Sequence, residues 1–182
     1  MTVNHSLEPI YDRNISKLKH FPKGVIVFDR DGTLVEDAGQ HNDIALLKFL
    51  PGAAEAIKLL SEHGYGIAIA SNQSGLESKK FNLSTLLEFN HALRVQLHTL
   101  VNADIDLIAV CPHLASSNCC CRKPEIGLLK GIEMSGLGNL RLFVGDTLSD
   151  KNAAKNFRLS FLLADGVNLA KKIEEWINSE CA

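Results

Sequence analysis

The strict alternation of apolar runs and helix-forming stretches limits the possible folds of this chain more than any other feature. Short apolar runs rich in β-branched residues, typical of buried strands, lie at residues 24–29, 65–71, 104–111, 140–146 and 159–165. Each is followed by a stretch with helical spacing of its apolar residues, at residues 51–64, 83–101, 124–136, 149–157 and 167–179. Because the strand runs are apolar throughout rather than alternating, we expect both faces of the sheet to be covered. The predicted fold class is α/β, a doubly wound, mainly parallel sheet with helices on both sides.

The length and charge of the chain narrow its organisation and its partners. A chain of 182 residues suits one compact domain, which we place at residues 21–182, after a polar N-terminal extension at residues 1–20. The net charge of −2 provides no general attraction for nucleic acid or an anionic membrane. Residues 1–20 lack the apolar core of a secretory signal, and no stretch approaches the roughly 20 apolar residues that span a bilayer. We therefore expect a cytoplasmic, monomeric protein with no nucleic-acid or membrane partner.

Polar and charged residues lie at the ends of four of the predicted strands or in the loops that follow them. They are Asp29 and Asp31 after the first strand, Ser71 at the end of the second, Lys123 after the third, and Asp146 and Asp150 after the fourth. The carboxyl ends of parallel strands meet at one edge of a sheet, where ligands bind in doubly wound folds. We therefore expect these side chains to share one crevice.

The residue types in this crevice favour phosphoryl chemistry assisted by a divalent cation. Carboxylates alone would repel one another, whereas Mg²⁺ takes one or two carboxylates together with phosphate oxygens and water. Asp29, Asp146 and the backbone carbonyl of Asp31 could supply such a shell. A carboxylate beside a dication and a lysine stays ionised and can act as a nucleophile. Asp31 could then exchange protons with the leaving group and water, while Ser71 and Lys123 bind phosphoryl oxygens.

Each of these motifs is weak by itself, and two other classes of function are alternatives to an enzyme that acts on a small phosphate ester. Acidic pairs at strand ends are usually solvated, and Gly-Asp turns are common; only the order and placement of the four features together are specific. A catalytically idle phosphate-binding module would have lost one of the groups, but all are present. Processing of nucleic-acid ends is disfavoured by the acidic balance and by the lack of a basic patch with interleaved aromatic residues.

A cysteine-rich stretch precedes the lysine. Its spacing predicts a closed tetrahedral Zn²⁺ site of the Cys₃His type, with a structural role, formed by Cys111, His113, Cys119 and Cys121. Cys120 could replace either neighbouring cysteine, although Cys119 and Cys121 are the preferred pair. A disulfide framework is disfavoured because the five cysteines are an odd number and a cytoplasmic location is reducing. We expect the zinc loop to hold Arg122 and Lys123 against the phosphate.

Taken together, the motifs resemble those of a known superfamily. "FDRDGT", "SNQSG", "CRKP" and "GDTLSD" look like the four motifs of haloacid dehalogenase superfamily phosphatases, over residues 23–165. The combination of "SNQSG" with "CPH" and "CCCRKP" is similar to the D-glycero-D-manno-heptose 1,7-bisphosphate phosphatases and the related histidinol-phosphate phosphatases. The sequence differs from the heptose enzymes around the substrate, at residues 38–41, 76–78, 125–127 and 147.

The resemblance implies roles for individual residues. Asp29 would be the nucleophile that forms an aspartyl-phosphate, and Asp31 the general acid and base. Mg²⁺ would be held by Asp29, Asp31 and Asp146, with Asp150 behind them. Phosphate and substrate contacts would come from Asp37, Gly39, Gln40, Ser71, Asn72, Gln73, Ser74, Arg122 and Lys123. The same four residues, three cysteines and a histidine, would bind zinc.

The resemblance also implies an activity. The expected reaction is Mg²⁺-dependent removal of the C7 phosphate from a heptose 1,7-bisphosphate, a step of bacterial cell-surface heptose synthesis. The alternative substrate is histidinol phosphate or another small phosphomonoester. Members of this branch lack a large cap domain, which agrees with the length of this chain.

Overall fold

The computed structural model describes residues 7–14, 19–37, 42–166 and 168–180. The strands of the described chain are β1 (Ile10–Arg13), β2 (Val25–Phe28), β3 (Gly66–Asn72), β4 (Leu107–Cys111), β5 (Leu140–Gly145) and β6 (Ser160–Leu163). The α-helices are α1 (Ala53–Glu62), α2 (Leu83–Val101), α3 (Gly127–Met134), α4 (Leu148–Phe157) and α5 (Leu169–Glu180). Among the described helices, none combines the length and the apolar character needed to cross a membrane.

The six strands form one sheet in the order β1-β4-β3-β2-β5-β6, and every pair except β1 with β4 is parallel. In the centre of the sheet, Phe28 of β2 pairs with Ile69 of β3 on one side and Val144 of β5 on the other. From β2 the chain proceeds outward through β3 to β4 and then returns to the opposite side of β2 as β5. The predicted doubly wound, mainly parallel sheet is thus confirmed, and its order reverses beside β2, the position where such folds bind ligands.

Both faces of the sheet are covered, which explains why its strands are apolar throughout. On one face Ile26 and Phe28 pack with α1, α2 and α5, and on the other Val25 and Val27 pack with α3 and α4. All four of these side chains are fully buried. Successive residues of a strand point to opposite faces, so a strand between two helical layers needs apolar residues at every position.

The strand β1 is an element that the sequence analysis did not predict. It lies within residues 1–20, which we expected to be a polar extension, and pairs antiparallel with β4 at the edge of the sheet. Asp12 in this strand accepts hydrogen bonds from Arg94 Nη1 (2.8 Å) and Asn90 Nδ2 (3.0 Å) of α2. An edge strand exposes one side to water, so its polar composition is consistent with its position.

Candidate active site

The reversal point of the sheet brings the predicted strand-end residues together. Asp29 directly follows β2, and its backbone N–H donates to Val144 O of β5 at 2.8 Å, which fixes it beside the end of that strand. A cavity of about 260 Å³ opens at this edge. Its lining residues are Asp29, Asp31, Ser71, Asn72, Arg122, Lys123, Thr147 and Ser149. Of the six residues that we expected to share one crevice, Asp29, Asp31, Ser71 and Lys123 line this cavity, whereas Asp146 and Asp150 are not among its lining residues.

Lys123 occupies the floor of this cavity and is 5% exposed. Its Nζ lies 2.5 Å from Asp29 Oδ1 and 2.7 Å from Asp150 Oδ1. The side chain of Asn72 holds the lysine backbone at two points, accepting from Lys123 N at 3.0 Å and donating to Lys123 O at 3.1 Å. Burial alone would lower the pKa of Lys123, but the two carboxylates outweigh it and raise the pKa, so the side chain is a fixed ammonium.

Asp29 is a buried carboxyl group whose burial and ion pair with Lys123 act on its pKa in opposite directions. Its burial raises the pKa to about 7, against the opposing effect of Lys123 and with further increases from Asp150 and Asp31. One of its oxygens is held by Lys123, and the other has no contact with the ammonium. A cation near that second oxygen would favour the ionised form.

Carboxylate oxygens suited to Mg²⁺ converge beside Asp29. Asp29, Asp146 and Asp150 each offer an oxygen within 4.8 Å of the others. Asp150 is engaged elsewhere, however: Oδ1 forms an ion pair with Lys123 Nζ at 2.7 Å, although it has no hydrogen-bond partner among the described residues, and Oδ2 accepts from Thr147 Oγ1 (2.6 Å) in the capping box of α4. The donors that fit a hard dication are therefore Asp29 and Asp146, with Asp150 supporting the lysine.

The Asp146 carboxylate is accommodated by its neighbours in the turn after β2. Gly32 has a φ of +80°, and a Cβ there would overlap Asp146 Oδ2, so only glycine leaves room for the carboxylate. Thr33, buried in the same turn, donates to Asp146 Oδ1 at 3.1 Å. Partial burial raises the pKa of Asp146, although the Thr33 hydrogen bond acts in the opposite direction. The sequence analysis did not single out Thr33, because a hydroxyl in this position has value only when the facing carboxylate is known.

The Asp31 carboxylate accepts hydrogen bonds from two neighbouring side chains. Arg30 Nε lies 3.1 Å from both carboxylate oxygens, and Gln73 Nε2 donates to Oδ2 at 2.7 Å. Arg30 is 2% exposed and stacks over the ring of Phe89, with 4.5 Å between the guanidinium carbon and the ring centroid. The sequence analysis missed Arg30; the only signal was a long cation placed between two aspartates in a buried segment.

The structure separates the residues that the resemblance assigned to substrate contact. Asn72 and Arg122 line the cavity, whereas Gln73 and Ser74 are buried beside it. Asp37 is exposed and is not among the cavity-lining residues. Gly39 and Gln40 lie outside the described residues.

The predicted zinc ligands come together in the loop after β4. The three sulfurs of the set lie 3.2–3.6 Å apart, and the histidine Nδ1 lies 3.2 and 3.5 Å from two of them, in the cluster Cys111, His113, Cys119 and Cys121. These separations are close to the edges, about 3.5–3.8 Å, of a tetrahedron around Zn²⁺ with sulfur and nitrogen ligands. Cys120 is exposed and stands outside the cluster. The four donors fit zinc and leave no position for a substrate.

Side-chain hydrogen bonds hold this loop, one of them within the loop and the others from the segment after β3. Arg122 Nη1 donates to His113 O at 2.9 Å, within the loop itself. The Glu77 carboxylate, which follows the "SNQSG" segment, accepts from Leu114 N and from Ser117 Oγ. These hydrogen bonds lower the pKa of Glu77. Glu77 was not predicted as a site residue, since nothing in the sequence places it next to the cysteine loop.

Comparison with known proteins shows the family to which the chain belongs. Residues 24–166 match the family model described as Polynucleotide kinase 3 phosphatase. The D-glycero-beta-D-manno-heptose-1,7-bisphosphate 7-phosphatase of Pseudomonas aeruginosa is 34% identical over 142 residues, 73% of this chain and 76% of the relative. The histidine biosynthesis bifunctional protein HisB of Legionella pneumophila is 31% identical over 144 residues, 77% of this chain but 41% of the relative.

A solved structure is similar as well. The D,D-heptose 1,7-bisphosphate phosphatase of B. bronchiseptica, crystallised with magnesium and phosphate, superposes with a TM-score of 0.78 at 26% identity. The superposition covers 86% of this chain and 99% of that one.

Proposed function

Since the chain belongs to the polynucleotide kinase 3 phosphatase family, a group of haloacid dehalogenase-type phosphoric monoester hydrolases, we propose that it dephosphorylates a small phosphorylated sugar through an aspartyl-phosphate at Asp29. The leading substrate is D-glycero-D-manno-heptose 1,7-bisphosphate, with loss of the C7 phosphate. One observation carries the proposal: a buried carboxylate, paired on one oxygen with a fixed ammonium, lines a cavity of about 260 Å³ together with Ser71 and Asp31.

The proposed reaction has two steps, in which the phosphoryl group is transferred first to Asp29 and then to water. In the first, an Asp29 oxygen bonds to phosphorus while the bond from phosphorus to the sugar oxygen breaks, and Asp31 gives that oxygen a proton. In the second, Asp31 takes a proton from water, whose oxygen bonds to phosphorus and releases the carboxylate. Lys123 and the Ser71 hydroxyl stabilise the charge on the phosphoryl oxygens throughout.

Mg²⁺ would be held by Asp29, Asp146 and the backbone carbonyl of Asp31, and when bound it offsets the charge shared by the nucleophile and the phosphate. The Asp31 carboxylate accepts from Arg30 and Gln73, so the metal contact proposed for this residue is its backbone carbonyl. Asp150 holds Lys123 in place.

Zn²⁺ would be bound by Cys111, His113, Cys119 and Cys121, with Cys120 excluded by its exposure. Because the residues after the last ligand are Arg122 and Lys123, a fixed loop positions both cations at the cavity. The metal has a structural role in this proposal, since all its positions are filled by protein.

The names of the relatives support two classes of phosphate ester as substrates, a phosphorylated sugar and a phosphorylated amino alcohol. The relative from P. aeruginosa and the structural neighbour are named for heptose bisphosphate, whereas the one from L. pneumophila is named for histidine biosynthesis. Asn72, Arg122 and Thr147 line the cavity and are the proposed contacts of the substrate beyond its phosphate. The remaining predicted substrate contacts are Asp37, Gly39, Gln40 and Ser74. The cytoplasmic location and the monomeric state also stay predictions.

Phosphate release from a panel of esters tests this function. The panel contains both anomers of the heptose 1,7-bisphosphate, histidinol phosphate and a 3′-phosphorylated oligonucleotide, each with and without Mg²⁺. We expect the heptose esters to have the highest kcat/KM, with no turnover by Asp29→Asn. Preference for histidinol phosphate or the oligonucleotide would overturn the substrate, and turnover by Asp29→Asn would overturn the nucleophile.

A further inference from the structure

We propose that Asn42 and Gln73 form a buried amide pair that orients the acid-base carboxylate and the phosphate-binding hydroxyl, so that both are positioning residues of this enzyme. The inference rests on the proposed function, because it takes Asp31 and Ser71 to be the groups that act on the phosphate ester. It gives Gln73 a role different from the substrate contact expected from the sequence, and it adds Asn42, which no motif includes.

Three hydrogen bonds define the pair. Asn42 Nδ2 donates to Gln73 Oε1 at 3.1 Å. Gln73 Nε2 then donates to Asp31 Oδ2 at 2.7 Å and to Ser71 Oγ at 2.8 Å. Asn42 is 3% exposed and Gln73 5% exposed, so water does not compete for these groups. Both amide hydrogens of Gln73 are used within the protein and its carbonyl oxygen accepts from Asn42, so the side chain has no N–H left to donate to a substrate.

The chemistry of the partners allows only one orientation of the Gln73 amide. Asp31 Oδ2, which faces Gln73, is an acceptor when Asp31 is ionised and also when the proton that Asp31 transfers is on Oδ1, so the atom of Gln73 that faces it must be the NH₂ group. The carbonyl oxygen of Gln73 therefore faces Asn42, and Asn42 must present its own NH₂ group to it. If the donor at residue 42 were replaced by an acceptor, the Gln73 amide would therefore reverse, and a different Gln73 atom would face Asp31 and Ser71.

The orientation of Gln73 also determines where the proton of Ser71 can go. Ser71 Oγ accepts the second Gln73 hydrogen, so the single hydroxyl proton is available to another acceptor. Ser71 lines the cavity, where that acceptor would be a phosphoryl oxygen. If the Gln73 amide had the reverse orientation, its oxygen would face Ser71. The Ser71 hydroxyl would then donate to Gln73 and could not donate to the phosphate.

The backbone fixes both members of the pair. Gln73 N donates to Cys111 O at 2.7 Å, which secures the residue after β3 to the neighbouring strand β4. Asn42 has a φ of +50°, in the left-handed region that asparagine tolerates better than most residues. Each amide is thus held by its main chain as well as by its partner, as a positioning device requires.

Asn42→Asp is the variant that tests the pair. The new carboxylate cannot donate to Gln73 Oε1, so the Gln73 amide turns to donate to residue 42 and directs its oxygen at Asp31 and Ser71. Asn82→Asp is the matched control, because Asn82 Oδ1 only accepts, from Thr85 N and Thr85 Oγ1 at the start of α2, and aspartate preserves both bonds.

The readout is kcat for two esters that differ in the need for a general acid: glycerol phosphate, with a poor leaving group, and p-nitrophenyl phosphate, with a good one. We expect Asn42→Asp to lower kcat for glycerol phosphate at least about tenfold more than for p-nitrophenyl phosphate, since general acid catalysis contributes about 10²–10⁴-fold and matters least for good leaving groups. Asn82→Asp should match the wild type. Equal losses for both esters, or a change in KM alone, would overturn the proposal.

Gln73→Glu is a second variant for the case in which the melting curve of Asn42→Asp shows that this protein does not fold. Gln73→Glu removes both donors at once and should produce the same dependence on the leaving group; equal losses for both esters would overturn the inference. Where all variants fold, the double variant Asn42→Asp/Gln73→Glu should have a kcat for glycerol phosphate little lower than that of Gln73→Glu, because Asn42 acts through Gln73. Additive losses of kcat would contradict an action of Asn42 through Gln73. Since both esters are generic, failure of the heptose ester as a substrate would overturn the proposed function without affecting this test.

Discussion

At the scale of single residues, the arrangement of Lys123 between two aspartates is a buried set of ion pairs. Its ammonium contacts Asp29 and Asp150 in a site from which water is largely excluded. Removing one partner of a buried ion pair leaves an uncompensated charge, which typically costs about 3–5 kcal/mol unless the remaining group takes up a proton.

Lys123→Met should therefore lose activity and become unstable in a pH-dependent way. We expect kcat to fall at least about 100-fold, because a preorganised charge at the phosphate is removed. The pKa of Asp29, already raised to about 7, would rise further without the lysine, so the carboxyl is protonated at pH 6 and ionised, at a cost, as the pH increases. The loss of Tm relative to wild type should be larger at pH 8 than at pH 6 in EDTA.

Lys48→Met is the matched control, because its Nζ contacts Glu36 Oε1 on an exposed surface where ion pairs contribute little. Its Tm and kcat should match the wild type at both pH values. A Lys123→Met protein whose Tm loss is the same at pH 6 and pH 8 would contradict the role assigned to the Asp29 carboxyl.

The sequence predicts those residues whose chemistry is evident from type and position, and misses those whose role depends on a neighbour across the fold. Asp29 and Lys123 follow apolar runs and carry the charges that phosphoryl chemistry needs. Arg30 and Asn42 act only through contacts with Asp31 and Gln73, which are set by tertiary structure. Sequence spacing alone contains no information on such contacts.

At the scale of elements, the loop after β4 illustrates how a segment with little regular structure is fixed. The cluster of three cysteines and a histidine precedes Arg122 and Lys123 directly, so a metal at the cluster would restrain both. The sequence predicted this cluster because its ligands lie close together along the chain. The edge strand β1 was not predicted, because four residues of which two are charged become a strand only through pairing with β4.

Cys119→Ser and Cys120→Ser form a matched pair that tests the zinc loop. Elemental analysis of the wild type should find about one zinc per chain, and Cys119→Ser should lose most of it. Its kcat should fall about 10- to 100-fold, because a shift of about 1 Å in a positioned group can cost about 100-fold. Cys120→Ser, which lies outside the cluster, should retain both zinc and activity. Zinc loss in Cys120→Ser, or none in Cys119→Ser, would contradict the ligand set.

At the scale of the whole molecule, the two-sided sheet determines where chemistry can occur. The helices on both faces leave the strand ends as the accessible polar edge, and the reversal of strand order beside β2 opens a crevice there. Continuous apolar runs in the sequence were sufficient to predict this architecture, since only a sheet covered on both faces needs them. Within the described residues, the segment between β2 and α1 is too short for a second domain over the cavity.

Chemical trapping of the phosphorylated enzyme tests the central claim most directly. The protein would be mixed with its preferred phosphate ester and Mg²⁺, quenched in acid, and treated with borohydride, which reduces an aspartyl-phosphate to homoserine. Peptide mass spectrometry should find homoserine at position 29, dependent on both ester and Mg²⁺. Phosphate release without any reduced residue, or reduction at a carboxylate other than Asp29, would contradict the account.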